Sequence, residues 1–303
     1  MRHFLTIADQ HPDTIKHMLE VGIRLRDERQ RGVANEPVLA GKTLAMLFQK
    51  PSLRTRVSFE QAMYELGGNA IVLGQNEVGL GTRESVGDVT RVLCGMVHGI
   101  AARVFKHEHL VEMSNSATAP IVNMLSDFSH PAQALADAMT IIDEFSPSPE
   151  VGGVDVSGKT VAFVGDGNNV ARSLAAICKV LGMNFVLASP EGYELPDDGF
   201  IQLTRDPEEA VEGADVIYAD TFVSMGEEGE KDEKLKAFEG FQINRPLVNK
   251  ASEHAIVLHC LPAYRGIEIT DQVMDGPRSR VFSQAHNRLH AQKGLLAVLL
   301  GGV

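Results

Sequence analysis

The stretch Thr43-Leu44-Ala45-Met46-Leu47-Phe48-Gln49-Lys50-Pro51-Ser52-Leu53-Arg54-Thr55-Arg56 decides the fold. A short apolar run bounded by polar residues predicts a buried strand over 43–48. Pro51-Ser52 then opens a helix over 52–66, which Gly67-Gly68 ends. Strand, turn and helix in that order form the repeating unit of a parallel α/β sheet. Upstream, 9–31 reads as an opening helix with Pro12 near its first turn. Downstream, strands are expected over 70–73, 101–105 and 120–123, and helices over 84–98 and 131–145.

The Pro-, Ser- and Gly-rich stretch from Ser146 to Gly158 reads as a surface crossing between halves. Beyond it the same grammar restarts. Strands are expected over 160–164, 185–188, 216–218 and 256–259, with a short one at Val281-Phe282. Helices are expected over 169–181, 207–213 and 283–300. Gly158-Lys159-Thr160 opens the second half as Gly41-Lys42-Thr43 opens the first. The fold class is α/β, with two doubly wound parallel-sheet domains.

The chain has 303 residues, about two domains' worth. Lys plus Arg number 28 and Asp plus Glu 40, a net charge of −12. That balance argues against a nucleic-acid or anionic-membrane partner, and an anionic ligand must be held by a local basic site. No apolar run approaches the roughly 18 residues of a membrane span, and the N-terminus does not read as a signal peptide. Three cysteines, Cys94, Cys178 and Cys260, suit a reducing, cytoplasmic setting better than a disulfide framework.

Six stretches carry candidate chemistry. Lys50 to Arg56 places Ser52, Thr55 and Arg54 where a helix N-terminus favours phosphate; an N-cap serine followed by solvated arginines would look the same. Ser129-His130-Pro131-Ala132-Gln133 opens another helix, with His130 able to donate to a carbonyl oxygen or simply to cap. Gly165-Asp166-Gly167-Asn168-Asn169 is half of a dinucleotide fingerprint, but Val170 stands where the third glycine is required. A tight turn with an Asn cap fits it equally. Asp220 to Gly226 reads as a strand end and mobile loop, followed by the charged run Glu227 to Lys236, which reads as solvated. His259-Cys260-Leu261-Pro262 puts a cysteine at a strand end without zinc-ligand spacing. Asn287-Arg288-Leu289-His290 lies on the last helix, where Arg288 could reach a ligand or remain on the surface.

Taken together and in this order, Pro51 to Arg56, His130 to Gln133, Gly165 to Asn169, Asp220 to Gly226, His259 to Pro262 and Asn287 to His290 resemble the ornithine carbamoyltransferases of the aspartate/ornithine carbamoyltransferase superfamily. The resemblance spans nearly the whole chain. It implies interdomain helices and an active site in the cleft. It also implies a carbamoyl phosphate-binding domain over 1–145, completed by the C-terminal helix 284–303, and an ornithine-binding domain over 146–283. The implied reaction joins carbamoyl phosphate and L-ornithine into L-citrulline and phosphate, with no metal and no cofactor. The implied assembly is a homotrimer or a multiple of trimers.

By the same resemblance, phosphate lies on Ser52, the Leu53 N–H, Arg54, Thr55 and Arg103. Thr55, Arg103 and His130 hold the carbamoyl oxygen. Gln133, the Cys260-Leu261 backbone and Arg288 face the carbamoyl amide. Asn169, Asp220, Ser224 and Met225 hold ornithine, whose δ-amine attacks near Asp220 and Cys260. The chain departs from the family pattern in three places. Leu53 replaces a threonine, Gly79 stands where Gln or His reaches a neighbouring subunit, and Gln284 and His286 replace glutamates. Leu53 raises N-acetyl- or N-succinylornithine as alternative acceptors, whereas the Asp220/Ser224-Met225-Gly226 set fits a free amino acid and argues against putrescine and aspartate. Leu53 and Gly79 together raise a catalytically degenerate paralogue. An NAD-dependent oxidoreductase rests only on Gly165-Asp166-Gly167.

Overall fold

The computed structural model describes residues 3–147, 153–223 and 228–303. The chain forms two compact units, Met1–Val154 with His286–Val303, and Asp155–Ala285.

The first unit opens with α1 (Pro12–Gln30), whose first turn is set by Pro12 behind a His11 cap. Then follow β1 (Thr43–Phe48), α2 (Leu53–Glu65), β2 (Asn69–Gly74), α3 (Gln75–Val78), α4 (Val86–Cys94), β3 (Gly99–Arg103), α5 (His107–Ser116), β4 (Ile121–Leu125) and α6 (Pro131–Phe145). The four strands are parallel in the order β2-β1-β3-β4. The chain runs outward from β1 to β2, then returns to the other side of β1 for β3. That reversal is a topological switch point, and the crevice beside it lies at the carboxyl ends of β1 and β3. The loop carrying Lys50 to Arg56 leaves β1 there. Arg103 closes β3 in register with Phe48. One face of the sheet packs on Leu47, Val89, Ile100, Leu110 and Met113.

The second unit contains β5 (Thr160–Val164), α7 (Asn169–Leu181), β6 (Asn184–Ala188), β7 (Gln202–Thr204), α8 (Pro207–Val211), β8 (Val216–Ala219), α9 (Lys231–Ala237), α10 (Arg245–Val248), β9 (Ile256–His259) and α11 (Asp271–Met274). Its parallel order is β7-β6-β5-β8-β9, so the switch point lies between β5 and β8. The loops after these strands carry Gly165 to Asn169 and Asp220. Ala162, Val164, Ile217, Phe222, Phe238 and Val257 belong to its core. α12 (Val281–Leu296) begins among this unit's residues and continues into the first unit's, ending in a π turn at Ala297–Gly301.

Several expectations are corrected. Val281-Phe282 is the first turn of α12, not a strand. The strand-like pairing falls just before it, where Val257 and Arg280 exchange backbone bonds with Arg278 and Val257. α5 was not expected because only Leu110 and Met113 of its ten residues are buried, too sparse a stripe to read. β7 is a three-residue edge strand with little burial. The charged run read as solvated contains α9, and its Lys234 is buried. The helix expected over 84–98 is confined to Val86–Cys94, where Ser85 caps one end and Gly95 the other. Among the described residues, no helix is long and apolar enough to cross a membrane.

Candidate active site

In the first unit, Ser52 is the N-cap of α2, in extended conformation, and its hydroxyl makes no capping bond. The first-turn N–H groups of α2 therefore point out of the helix without a side-chain acceptor from the cap. Leu53 begins the helix and is 75% exposed. Thr55, two residues on, is buried, and its Oγ1 accepts from Arg288 Nη2 at 2.8 Å. Arg288 Nη1 donates to Gln133 Oε1, and Gln133 Nε2 donates to Asp137 Oδ1 at 2.8 Å. The four residues form one buried chain, and each donor and acceptor fixes the next. Asp137, four residues after Gln133 on α6, was not singled out from sequence. The i, i+4 spacing is the signal that could have found it.

His130 is the N-cap of α6 at φ −127°, ψ 63°, with Pro131 at the first helical position. A buried turn presents it. Asn123 Nδ2 donates to the Leu5 and Ser129 carbonyls at 2.8 and 3.2 Å, and Ser126 Oγ accepts from the Ser129 N–H at 3.2 Å. Burial holds the imidazole's pKa well below its usual 6.5, and the charges of Arg288, Arg103 and Arg54 push it the same way. His130 is thus a neutral ring among three guanidinium groups. A neutral imidazole can donate one hydrogen bond without adding charge. His130 and Arg54 each lie at or near a helix start, and such a surrounding suits an anion inside a chain of net charge −12.

In the second unit, Asn168 caps α7, its Oδ1 accepting from the Val170 and Ala171 N–H groups at 2.9 and 3.1 Å. Its Nδ2 donates to Asp220 Oδ2 at 2.9 Å. Asp220 Oδ1 accepts from the Thr221 N–H at 2.8 Å and from the Cys260 thiol at 2.9 Å. Asp220, Cys260 and Asn168 therefore form a cluster at the carboxyl ends of β5, β8 and β9, and Asn169 begins α7 beside it. Leu261 sits at φ 59°. Its N–H donates to His259 Nδ1 at 2.9 Å, while His259 Nε2 meets Glu268 Oε1 at 3.0 Å. Asp220, His259 and Cys260 offer ligand atoms within 4.8 Å of one another. Both ring nitrogens of His259 are engaged by Leu261 and Glu268, and within the trio it is the Cys260 thiol that hydrogen-bonds the Asp220 carboxylate. Ser224 and Met225, with Gly226, lie outside the described residues.

Gly167 of the partial fingerprint has a packing reason. A Cβ on Gly167 would meet the Leu195 nitrogen at 2.5 Å, and the Gly167 N–H donates to the Tyr193 carbonyl at 2.7 Å. Asp166 is paired with Lys234 Nζ at 2.7 Å. The loop is closed on its own protein rather than open to a pyrophosphate.

A family model for the carbamoyl phosphate-binding domain of aspartate/ornithine carbamoyltransferases matches residues 2–143, and one for the Asp/Orn-binding domain matches 157–299. The ornithine carbamoyltransferase of Methanopyrus kandleri is 45% identical, covering 99% of this chain and 97% of that protein. The solved ornithine carbamoyltransferase of Pyrococcus furiosus is 45% identical at a TM-score of 0.92, covering 100% of this chain and 98% of that one. The anabolic ornithine carbamoyltransferase of Campylobacter jejuni superposes at a TM-score of 0.89 with 37% identity, covering 99% of both chains.

Proposed function

The chain belongs to the aspartate/ornithine carbamoyltransferase family, and on that premise we propose that it transfers the carbamoyl group of carbamoyl phosphate to the δ-amine of L-ornithine, giving L-citrulline and phosphate in arginine biosynthesis. The observation that carries this reading is the buried Thr55–Arg288–Gln133–Asp137 chain, with His130, its pKa pushed down by burial and by the charges of Arg288, Arg103 and Arg54, at the start of α6. Carbamoyl phosphate is a dianion with a carbonyl, and that surrounding supplies cations for the one and a neutral donor for the other.

The first unit binds phosphate through Ser52, the Leu53 N–H, Arg54, Thr55 and Arg103. The carbamoyl oxygen rests on Thr55, Arg103 and His130. Gln133 and Arg288 hold the carbamoyl amide. In the second unit Asn169 and Asp220, with Ser224 and Met225, bind ornithine. The amine nitrogen attacks the carbamoyl carbon and pushes charge onto its oxygen, where preorganised donors stabilise it. The carbon–oxygen bond to phosphate then breaks, phosphate leaves with the electron pair, and the amine loses a proton. Simultaneous binding supplies much of the remaining acceleration.

The three free cysteines support a reducing, cytoplasmic setting. The exposed Leu53, Val57 and Tyr64 along α2 support self-association as a trimer or multiple of trimers. A colorimetric ureido assay tests the function, with carbamoyl phosphate and, separately, L-ornithine, N-acetylornithine, N-succinylornithine, putrescine and L-aspartate. Turnover with ornithine alone is expected. Turnover only with an acylated ornithine overturns the acceptor, and silence with all five overturns the reaction.

A further inference from the structure

Lys293 is a lysine with no exposed side-chain surface. Its Nζ lies 2.5 Å from Glu65 Oε2, on the last residue of α2, and donates to Asn35 Oδ1 at 2.6 Å. Glu65 also accepts from Arg29 of α1 at 3.0 Å and from Gln61 at 2.9 Å. Five residues earlier on the same helix, Arg288 reaches Thr55 near the other end of α2. α12 is therefore tied to α2 at two places, one in the candidate site and one remote from it. Asn287 adds a tie to α6, donating to Thr140 Oγ1 at 3.0 Å and Asp143 Oδ2 at 2.9 Å.

Stability alone does not account for the remote tie. A buried ion pair is often replaceable by an apolar side chain of similar volume without loss. What an apolar contact lacks is a fixed direction. A slip of one residue along an α-helix turns each side chain by about 100° and moves it about 1.5 Å. The fork of Arg288 must meet Thr55 and Gln133 together, and neither contact survives such a slip.

We propose that Lys293 is a positioning residue for Arg288: the Lys293–Glu65–Asn35 contact sets the rotation and axial position of α12, and through it the aim of the Arg288 guanidinium. The proposal rests on the reading that Arg288 contacts carbamoyl phosphate. Lys293 itself touches no substrate.

The test measures carbamoyl phosphate affinity by calorimetry and thermal stability for K293M, E65Q, R288A and the double variant K293M/R288A, with steady-state KM values for K293M and E65Q. R288A alone weakens binding if Arg288 has its assigned role; wild-type affinity in R288A overturns that role, and this inference with it. Given weaker binding in R288A, K293M and E65Q each raise the dissociation constant by roughly tenfold and leave the ornithine KM unchanged, as expected for sub-ångström misplacement of a binding group. In the R288A background, K293M changes the constant less than about twofold, because the group it positions is gone, while its effect on melting temperature persists. The inference fails if K293M and E65Q lower the melting temperature but bind carbamoyl phosphate as the wild type does. It also fails if K293M weakens binding equally with and without Arg288. Should K293M not fold, E65Q and E65Q/R288A, which leave the lysine in place, decide the question alone.

Discussion

Gly294→Ala should damage stability and catalysis together. Gly294 lies inside α12, where an alanine would ordinarily gain about 1 kcal/mol in helix propensity. A Cβ built there falls 2.1 Å from the Met18 carbonyl oxygen, 2.8 Å from the Gly22 nitrogen and 3.0 Å from the Gly22 Cα, all backbone atoms of α1. Gly22 faces the same crossing from the other side, its own Cβ position lying 2.8 Å from the His290 oxygen. The two helices touch backbone to backbone, so no side chain can swing away. Carbon and oxygen need about 3.3 Å even in a favourable contact, so α12 must retreat by about 1.2 Å. Overpacking at that level costs about 3 kcal/mol, and the propensity gain leaves a net loss of about 2 kcal/mol. For a unit of this size that lowers the melting temperature by roughly 4–8 °C. The same retreat carries Arg288 away from Thr55 and Gln133, and a shift near 1 Å in a binding group costs on the order of 10- to 100-fold in kcat/KM for carbamoyl phosphate. Calorimetric melting and the ureido assay read the two effects. Gly95→Ala is the control, since its Cβ meets nothing closer than the Val92 oxygen at 3.5 Å. A G294A protein that melts within about 1 °C of the wild type with unchanged kcat/KM would refute the reasoning.

Three other outcomes follow from the same geometry. His130 stays neutral in the folded chain while its unfolded counterpart takes up a proton below pH 6.5. The folded state is therefore destabilised as pH falls through 6.5, by up to about 1.4 kcal/mol per pH unit from this residue. Urea titrations at pH 7.5 and 5.5 should show a smaller acid loss in His130→Gln than in the wild type, whose His107 and His290 act in the same direction in both proteins; equal losses would contradict the assignment. Lys234→Met strands the Asp166 carboxylate, whose side chain is 12% exposed, and should cost about 2 kcal/mol. Adding Asp166→Asn should recover more than half of that, and a double variant no more stable than the single would show that the pair is not the cause. Finally, the attacking amine must be neutral, so kcat/KM for ornithine should rise about tenfold per pH unit from pH 7 towards 9; a flat profile would place proton loss elsewhere.

The parts of the fold that were legible are those whose ends are written locally. α6 and α7 have the expected ends because Pro131 fixes one start, Asn168 caps the other, and Gly182 takes the left-handed conformation that stops α7. β5 is a five-residue run bounded by Lys159 and Gly165. The edge strand β7 and the sparsely buried α5 have no comparable local mark. α9 hides behind its charges, because the burial of Lys234 depends on Asp166, which stands 68 residues away. The candidate site divides in the same way. The strand ends and helix starts place Ser52 and Asn169 at switch points and His130 at the start of α6, after the edge strand β4. The contact of Arg288 with Thr55, across 233 residues, becomes readable only when the whole ordered set of motifs is matched at once. Asp137, Asn123 and Glu268 carry no motif, and each is known only by the group it holds.

The two departures that clouded the sequence reading lose their force once the direction of each Cα–Cβ bond is known. Leu53 lies in the first turn of α2 and is 75% exposed, so the group it would offer an anion at the helix start is its N–H, which any residue but proline supplies. A leucine there therefore gives no reason to prefer an acylated acceptor. Gly79 caps α3 at φ 64°, and a Cβ would sit 2.6 Å from that of Arg83. Glutamine or histidine at 79 would need a differently built turn. The turn present is held by its backbone, with the Gly81 N–H donating to the Glu84 oxygen at 2.9 Å and Gln49 Nε2 to the Leu80 oxygen at 3.2 Å. Gln49 Oε1 also accepts from the Phe105 N–H at 2.8 Å, and the Gln49 N–H donates to the Arg103 oxygen at 2.9 Å. The 79–84 turn is thus tied through Gln49 to the strand that delivers Arg103.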